Sequence, residues 1–144
     1  MWPKDRDEFV PNHIMPDGAD SSDAWYFVFM RGELVCKTLQ GAPEPITADD
    51  FRWFDAEVKS KHFLGHLGSV PCFALRAAGA VPEGYALMPL RGLLGRTSQS
   101  LFYLAGRAQQ IIEWHDTHQF CGRCGSPMQL HSQDRAMHCD SCSH

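Results

Sequence analysis

The sequence predicts an α+β fold: a small mixed β-sheet, one long helix, and a four-cysteine metal ribbon. Three observations carry this. Aromatic and β-branched runs, chiefly Trp25-Tyr26-Phe27-Val28-Phe29-Met30, fall within residues 24–96 and favour buried strands. From about Ser98 to His118 apolar residues recur at three-and-four spacing, the mark of one helix face. The last 24 residues hold two Cys-x-x-Cys pairs.

In order along the chain, residues 1–23 are rich in Pro, Asp, Asn and Ser and read as an irregular lead-in. Residues 25–30 form a strand. Arg31-Gly32-Glu33 is a turn, with Gly32 supplying positive φ, and Leu34 to Thr38 returns as a second strand. A loop spans Gly41 to Pro45. Thr47 is placed to cap a short helix, with Asp50 three residues on, ending after Phe54. Lys61 to Leu67 and Pro71 to Ala77 are two more strands, joined at Gly68-Ser69, and Gly84 to Leu90 is a further candidate. In the long helix, Leu101, Leu104, Ala105, Ala108, Ile111 and Ile112 share one face, Trp114 falls off it, and Thr97 or Ser98 can cap the start.

The bulk composition bounds the function. With 144 residues, 44% hydrophobic and 21% charged, the chain suits one soluble domain, or one domain plus a small appendage. Thirteen Lys+Arg against seventeen Asp+Glu give a formal charge of -4. That argues against binding nucleic acid mainly through phosphates but allows a local basic pocket. No apolar run approaches the roughly 18 residues needed to cross a bilayer. The charged opening Met1 to Glu8 is no secretory signal. A cytoplasmic protein without membrane association is expected.

Cys121-Gly122-Arg123-Cys124 and Cys139-Asp140-Ser141-Cys142 stand fourteen residues apart. Two residues between cysteines let a tight turn present both sulfurs on one side, Gly125 lets the backbone fold beneath the metal, and the intervening residues suffice for a hairpin. Four thiolates then surround Zn²⁺ as a closed tetrahedron, a structural site with no open position for substrate. The segment has few apolar residues and needs such a staple to fold. Disulfides or free thiols, or iron in a rubredoxin-like electron carrier, are the rival readings. His115, His118, His131, His138 and His144 read as solvent-exposed; Cys36 and Cys72 read as small buried hydrophobes.

Leu101 to Ala108, Trp114-His115, His118 to Gly125, Ala136-Met137 and Cys139 to Cys142 resemble the middle of bacterial NADH pyrophosphatases, also described as NAD-capped RNA hydrolases of the Nudix superfamily. Arg31-Gly32-Glu33-Leu34, Phe63-Leu64-Gly65 and Leu90-Arg91 match more thinly. The resemblance implies a Nudix-like domain at 1–96, a connecting helix at 97–118 and a zinc ribbon at 119–144. It assigns Cys121, Cys124, Cys139 and Cys142 to zinc, and places Arg31, Arg91 and Asp134 where the family has substrate-associated residues. Guanidinium groups suit an anionic pyrophosphate.

The resemblance also implies a homodimeric parent that splits NAD(H) into NMN(H) and AMP and removes NAD caps from RNA. Its catalytic Nudix domain would hold Mg²⁺ or Mn²⁺ in a box of pattern G-x5-E-x7-R-E-x2-E-E-x-G. These 144 residues contain no adjacent glutamate pair, and the last glutamate is Glu113. They are expected to be the N-terminal part of such an enzyme, with no catalytic residue and no activity alone. They would supply scaffold, dimer surface and a substrate edge. The alternative is a stand-alone zinc-ribbon module that binds RNA or a protein partner.

Overall fold

The computed structural model describes residues 9–16, 21–38, 42–131 and 133–142. Met1 to Glu8, Gly41 and His144, named above, lie outside them. The strands are β1 (Phe9–Pro11), β2 (Trp25–Met30), β3 (Glu33–Thr38), β4 (Pro43–Glu44), β5 (Ile46–Thr47), β6 (Ala56–Leu67), β7 (Val70–Gly79), β8 (Tyr85–Met88), β9 (Gln129–Leu130) and β10 (Met137–His138); the helices are α1 (Ala48–Phe51) and α2 (Gln99–Thr117). The first eight strands form one mixed sheet of order β1-β6-β7-β2-β3-β4, with β5 on β2 and β8 on β3. Among the described residues only β2 and β7 run parallel; the remaining pairs of this sheet are antiparallel.

All six residues of β2 are buried, because both faces of the sheet are covered. Trp25, Phe27 and Phe29 join the core under α2, built with Leu64, Leu101, Leu104, Ala108 and Ile112. Tyr26, Val28 and Met30 join a second core with Ile46, Phe54, Phe63, Phe73 and Leu75. A strand covered on both sides reads as an unbroken apolar run, as β2 does. In α2 the six buried residues are the six of the sequence-predicted face, and Trp114 lies half-buried at its margin. Ser98 caps the helix, its Oγ accepting from the Leu101 N–H at 3.2 Å.

Several elements differ from the sequence reading. β1 lies inside the expected irregular lead-in; its pairing with β6 at Leu67, His66 and Gly65 is a long-range event without local pattern. β6 begins at Ala56, not Lys61, because its first half is a half-exposed edge without clean alternation, with register shifts between Val58 and Ser60 and between Phe63 and Gly65. Gly65 is required there: its φ is 134°, and a Cβ would sit 2.1 Å from the Val10 carbonyl oxygen. The short helix stops at Phe51, with Phe54 reached by a turn. The strand expected at 84–90 ends at Met88 and gives way to a 3-10 turn at Leu90–Leu93.

The α1 start behaves as the sequence predicts. Thr47 Oγ1 accepts from the Asp50 N–H at 3.2 Å, and Asp50 Oδ2 accepts from the Thr47 N–H at 3.0 Å. Asp50 also takes Lys37 Nζ at 2.9 Å. Burial pushes the Asp50 carboxyl up, but the Thr47 N–H and the Lys37 ammonium outweigh it and leave the pKa below its usual 3.8. The stability these contacts add is therefore full above that value and is lost as pH falls through the lowered one. Asp50→Asn is expected to destabilise the fold by about 1–2 kcal/mol at neutral pH, with the gap closing at strongly acid pH, as read by urea unfolding. Leu104→Ala, at a fully buried position, is expected to lose about 2–5 kcal/mol in the same assay.

Candidate metal centre

The C-terminal end of α2 launches the ribbon. His118 ends the helix, and its Nδ1 lies 2.7 Å from the Trp114 carbonyl oxygen. Phe120 bridges to Pro127, and the Cys121 N–H donates to the Ser126 carbonyl at 2.8 Å while the Gly125 N–H donates to Cys121 at 2.8 Å. These bonds close the first cysteine turn, with Gly125 at φ 76°. The Arg123 N–H points at Cys121 Sγ, 3.4 Å away. β9 and β10 pair as a two-residue hairpin, Met137 opposite Leu130 and His138 opposite Gln129, and carry the second turn over the first.

The four sulfurs converge. Cys121 Sγ lies 3.5 Å from Cys142 Sγ, Cys124 Sγ 3.4 Å from Cys139 Sγ, and Cys142 Sγ 3.6 Å from Cys139 Sγ. All four lie within 4.8 Å of one another. A disulfide needs about 2.05 Å, so these thiols are free. Tetrahedral Zn–S bonds of about 2.3 Å place sulfurs about 3.8 Å apart, which these separations approach. The residues fit a four-coordinate metal ion, which would cross-link the two turns. The Ser126 hydroxyl and N–H beside Cys124 pull its thiol down to about 6, and the Cys124 and Arg123 N–H groups lower Cys121. Both favour the thiolate that a metal needs. Cys36 and Cys72 are the opposite case: burial pushes each up to about 12, so they stay inert thiols in the core.

The other site candidates fall in separate places. Arg31 lies in the two-residue β2–β3 turn at φ 53°, followed by Gly32 at φ 80°. It lines a cavity of about 570 Å³ with Lys59, Arg76, Gln109, Glu113 and Asp116. In that cavity Arg76 pairs with Asp116 at 3.6 Å, and Gln109 Nε2 donates to the Gly32 carbonyl at 3.2 Å. Asp134 lies in the ribbon, exposed, 3.6 Å from His131. Arg91 is exposed in the 3-10 turn. The structure does not gather the three into one cavity.

Residues 23–114 match the NADH pyrophosphatase-like rudimentary NUDIX domain, and residues 116–144 match the NADH pyrophosphatase zinc ribbon domain. The chain belongs to the NADH pyrophosphatase-like NUDIX family. Among curated proteins it is similar to the NAD-capped RNA hydrolase NudC of Deinococcus radiodurans, 47% identical over 79 residues, which is 55% of this chain and 28% of that protein. The namesake from Stutzerimonas stutzeri is 40% identical over 85 residues, 58% of this chain and 30% of the relative. That from Pasteurella multocida is 28% identical over 135 residues, 92% of this chain and 47% of the relative. The chain thus spans less than half the length of these relatives.

For this NUDIX-family chain, sequence reasoning missed the residues that join ribbon to sheet. Arg135 Nη2 donates to the carbonyls of Phe63 at 2.5 Å and Asn12 at 3.3 Å, and His13 Nε2 meets the Gln133 carbonyl. The available signal was His62, an imidazole inside the apolar strand of residues 61–67; Arg135 gave none. Elemental analysis is expected to find one metal ion per chain. Cys139→Ser is expected to lower that occupancy and to expose ribbon amides to hydrogen exchange while the sheet stays protected. Arg31→Asn relieves a left-handed arginine, a strain of roughly 1–2 kcal/mol, and is expected to hold or raise the unfolding midpoint.

Proposed function

We propose that these residues are the N-terminal part of a NUDIX hydrolase that cleaves the pyrophosphate of NAD(H) to NMN(H) and AMP and removes NAD caps from RNA. The observation that carries the reading is the succession of a rudimentary NUDIX domain and its zinc ribbon, supported by similarity to relatives named as NAD-capped RNA hydrolases. The thiolates of Cys121, Cys124, Cys139 and Cys142 hold a structural Zn²⁺, whose chemistry is cross-linking, since a closed four-sulfur shell leaves no position for substrate.

Catalysis belongs to the part of the relatives that this chain does not span. The glutamate box is absent here, so Mg²⁺ or Mn²⁺ acts in that other part. Residues 1–96 act as scaffold, 97–118 as the connecting helix and 119–144 as the ribbon. The chain contributes to a homodimer surface and lends Arg31, Arg91 and Asp134 to the substrate's edge. The setting is cytoplasmic; among the described residues no helix is long and apolar enough to cross a membrane. Incubated with NADH and Mn²⁺, these 144 residues are expected to release no NMNH or AMP, and a longer chain that includes a NUDIX box is expected to release both. Turnover by the 144 residues alone, followed by chromatography, overturns the assignment.

A further inference from the structure

The outward side of α2 is apolar at its N-terminal end, where a surface helix is ordinarily polar. The six buried residues of α2 face the sheet. On the other side Phe102, Tyr103, Gly106 and Gln110 recur at three-and-four spacing, and with Leu94 and Arg107 they line an open groove of about 680 Å³. Leu94 is 70% exposed, Tyr103 55% and Phe102 36%. Apolar residues scattered singly over a surface need no explanation; three around one groove mark an interaction surface.

Gly106 is a second, independent observation. It lies inside α2, where glycine weakens a helix relative to alanine. Among the described residues a Cβ there would meet no atom within 4 Å, and its φ is not in the left-handed region. Neither backbone conformation nor a neighbour in this chain calls for a glycine. A backbone approaching α2 from outside would, because glycine leaves room for close contact.

The position of the groove selects its occupant. Burial, and after it the charge of Arg107, bear against the Arg135 cation, so the groove's arginine stands within electrostatic reach of the ribbon. The last ligand of the ribbon returns to the end of α2, with Cys142 Sγ 3.5 Å from Cys121 Sγ. Chain that follows Cys142 therefore starts beside α2. From Thr117 at the end of the helix back to Phe102 is about 22 Å along the axis, at about 1.5 Å per residue. The Pasteurella multocida relative matches over 135 residues, 47% of its length, so roughly as many residues again lie outside the match. A globular unit of that size has a radius of gyration of about 14 Å and a diameter of roughly 35 Å; starting at the ribbon, it reaches the groove. A tethered unit also meets the groove at an effective concentration on the order of millimolar, an advantage that a second copy lacks.

We propose that the groove of Leu94, Phe102, Tyr103 and Gly106 is the docking face for the domain that follows the ribbon in the longer hydrolase. An apolar segment of that domain seats on Gly106, and an acidic side chain stands opposite Arg107, the one charge among the described lining residues. This docking rests on these residues being the N-terminal part of such a hydrolase.

Hydroxyl-radical footprinting of the metal-loaded 144 residues, and of a longer chain that includes a NUDIX box, tests the docking, with NADH hydrolysis followed in parallel. In the 144 residues Phe102 and Tyr103 are expected to oxidise freely. In the longer chain their oxidation is expected to fall several-fold at every protein concentration, while Trp53, 75% exposed in the turn after α1, stays equally reactive. Gly106→Leu is expected to hold or raise the unfolding midpoint of the 144 residues, since leucine favours helix and the position is open, yet to restore oxidation of Phe102 and Tyr103 in the longer chain. Leu94→Glu is expected to restore it as well, with metal content unchanged in both variants. A groove that stays reactive in a longer chain that hydrolyses NADH overturns the docking and leaves the hydrolase reading standing. A protected groove in a longer chain that releases no NMNH supports the docking and removes the hydrolase instead. Protection that survives Gly106→Leu overturns the docking. So does protection that is lost on dilution, or that appears when the 144 residues are concentrated, because it assigns the groove to a second copy.

Discussion

The burial of β2 on both of its faces is the constraint from which the rest of the molecule follows. Six consecutive large side chains cannot all be hidden by a single covering layer, since successive residues of a strand point to opposite sides. One side must be roofed by a helix, and α2 supplies the roof with Leu101, Leu104, Ala108 and Ile112. The other side is closed by α1, β8 and an aromatic group in which Tyr26, Phe51, Phe54, Phe73 and Tyr85 meet edge-to-face or tilted. Because α2 is pinned along the sheet, its last turn lies at a fixed place, and the ribbon begins there.

The ribbon follows a different physics. It has almost no core of its own; among its described residues only Cys121 and Cys139 are buried. Order there comes from short backbone hydrogen bonds around the first cysteine turn and from the convergence of four sulfurs. Lowered thiol pKa values at Cys121 and Cys124 arise from N–H and hydroxyl donors that would stabilise negative sulfur. The same donors that shape the turn thus prepare it for a cation.

Among the described residues, hydrogen bonds from Arg135 and His13 join ribbon and sheet. β1 covers β6 only from Gly65 onward, and the exposed backbone beyond is taken up by Asn12 on Leu64 and by Arg135 on Phe63. An edge strand left bare invites pairing with another chain; here a side chain from the ribbon terminates it. Among the described residues Arg135 at the junction bonds to carbonyls and to no carboxylate, whereas the Arg31 cavity on another part of the sheet has its cations partly offset by Glu113 and Asp116.

What the sequence determined by itself was whatever is encoded over short spans. The β2 run, the Arg31-Gly32 turn, the Thr47–Asp50 cap, the buried face of α2 and the sulfur quartet all express patterns within a few residues or a fixed spacing. Tertiary structure alone decided the parallel pairing of β2 with β7, the attachment of β1, the early start of β6, and the meeting of His62 with Arg135 across 73 positions of chain. Local propensity is a property of neighbouring residues. Strand partners and the surroundings of a charge depend on closing long loops, and no short stretch of sequence encodes where those loops bring the chain.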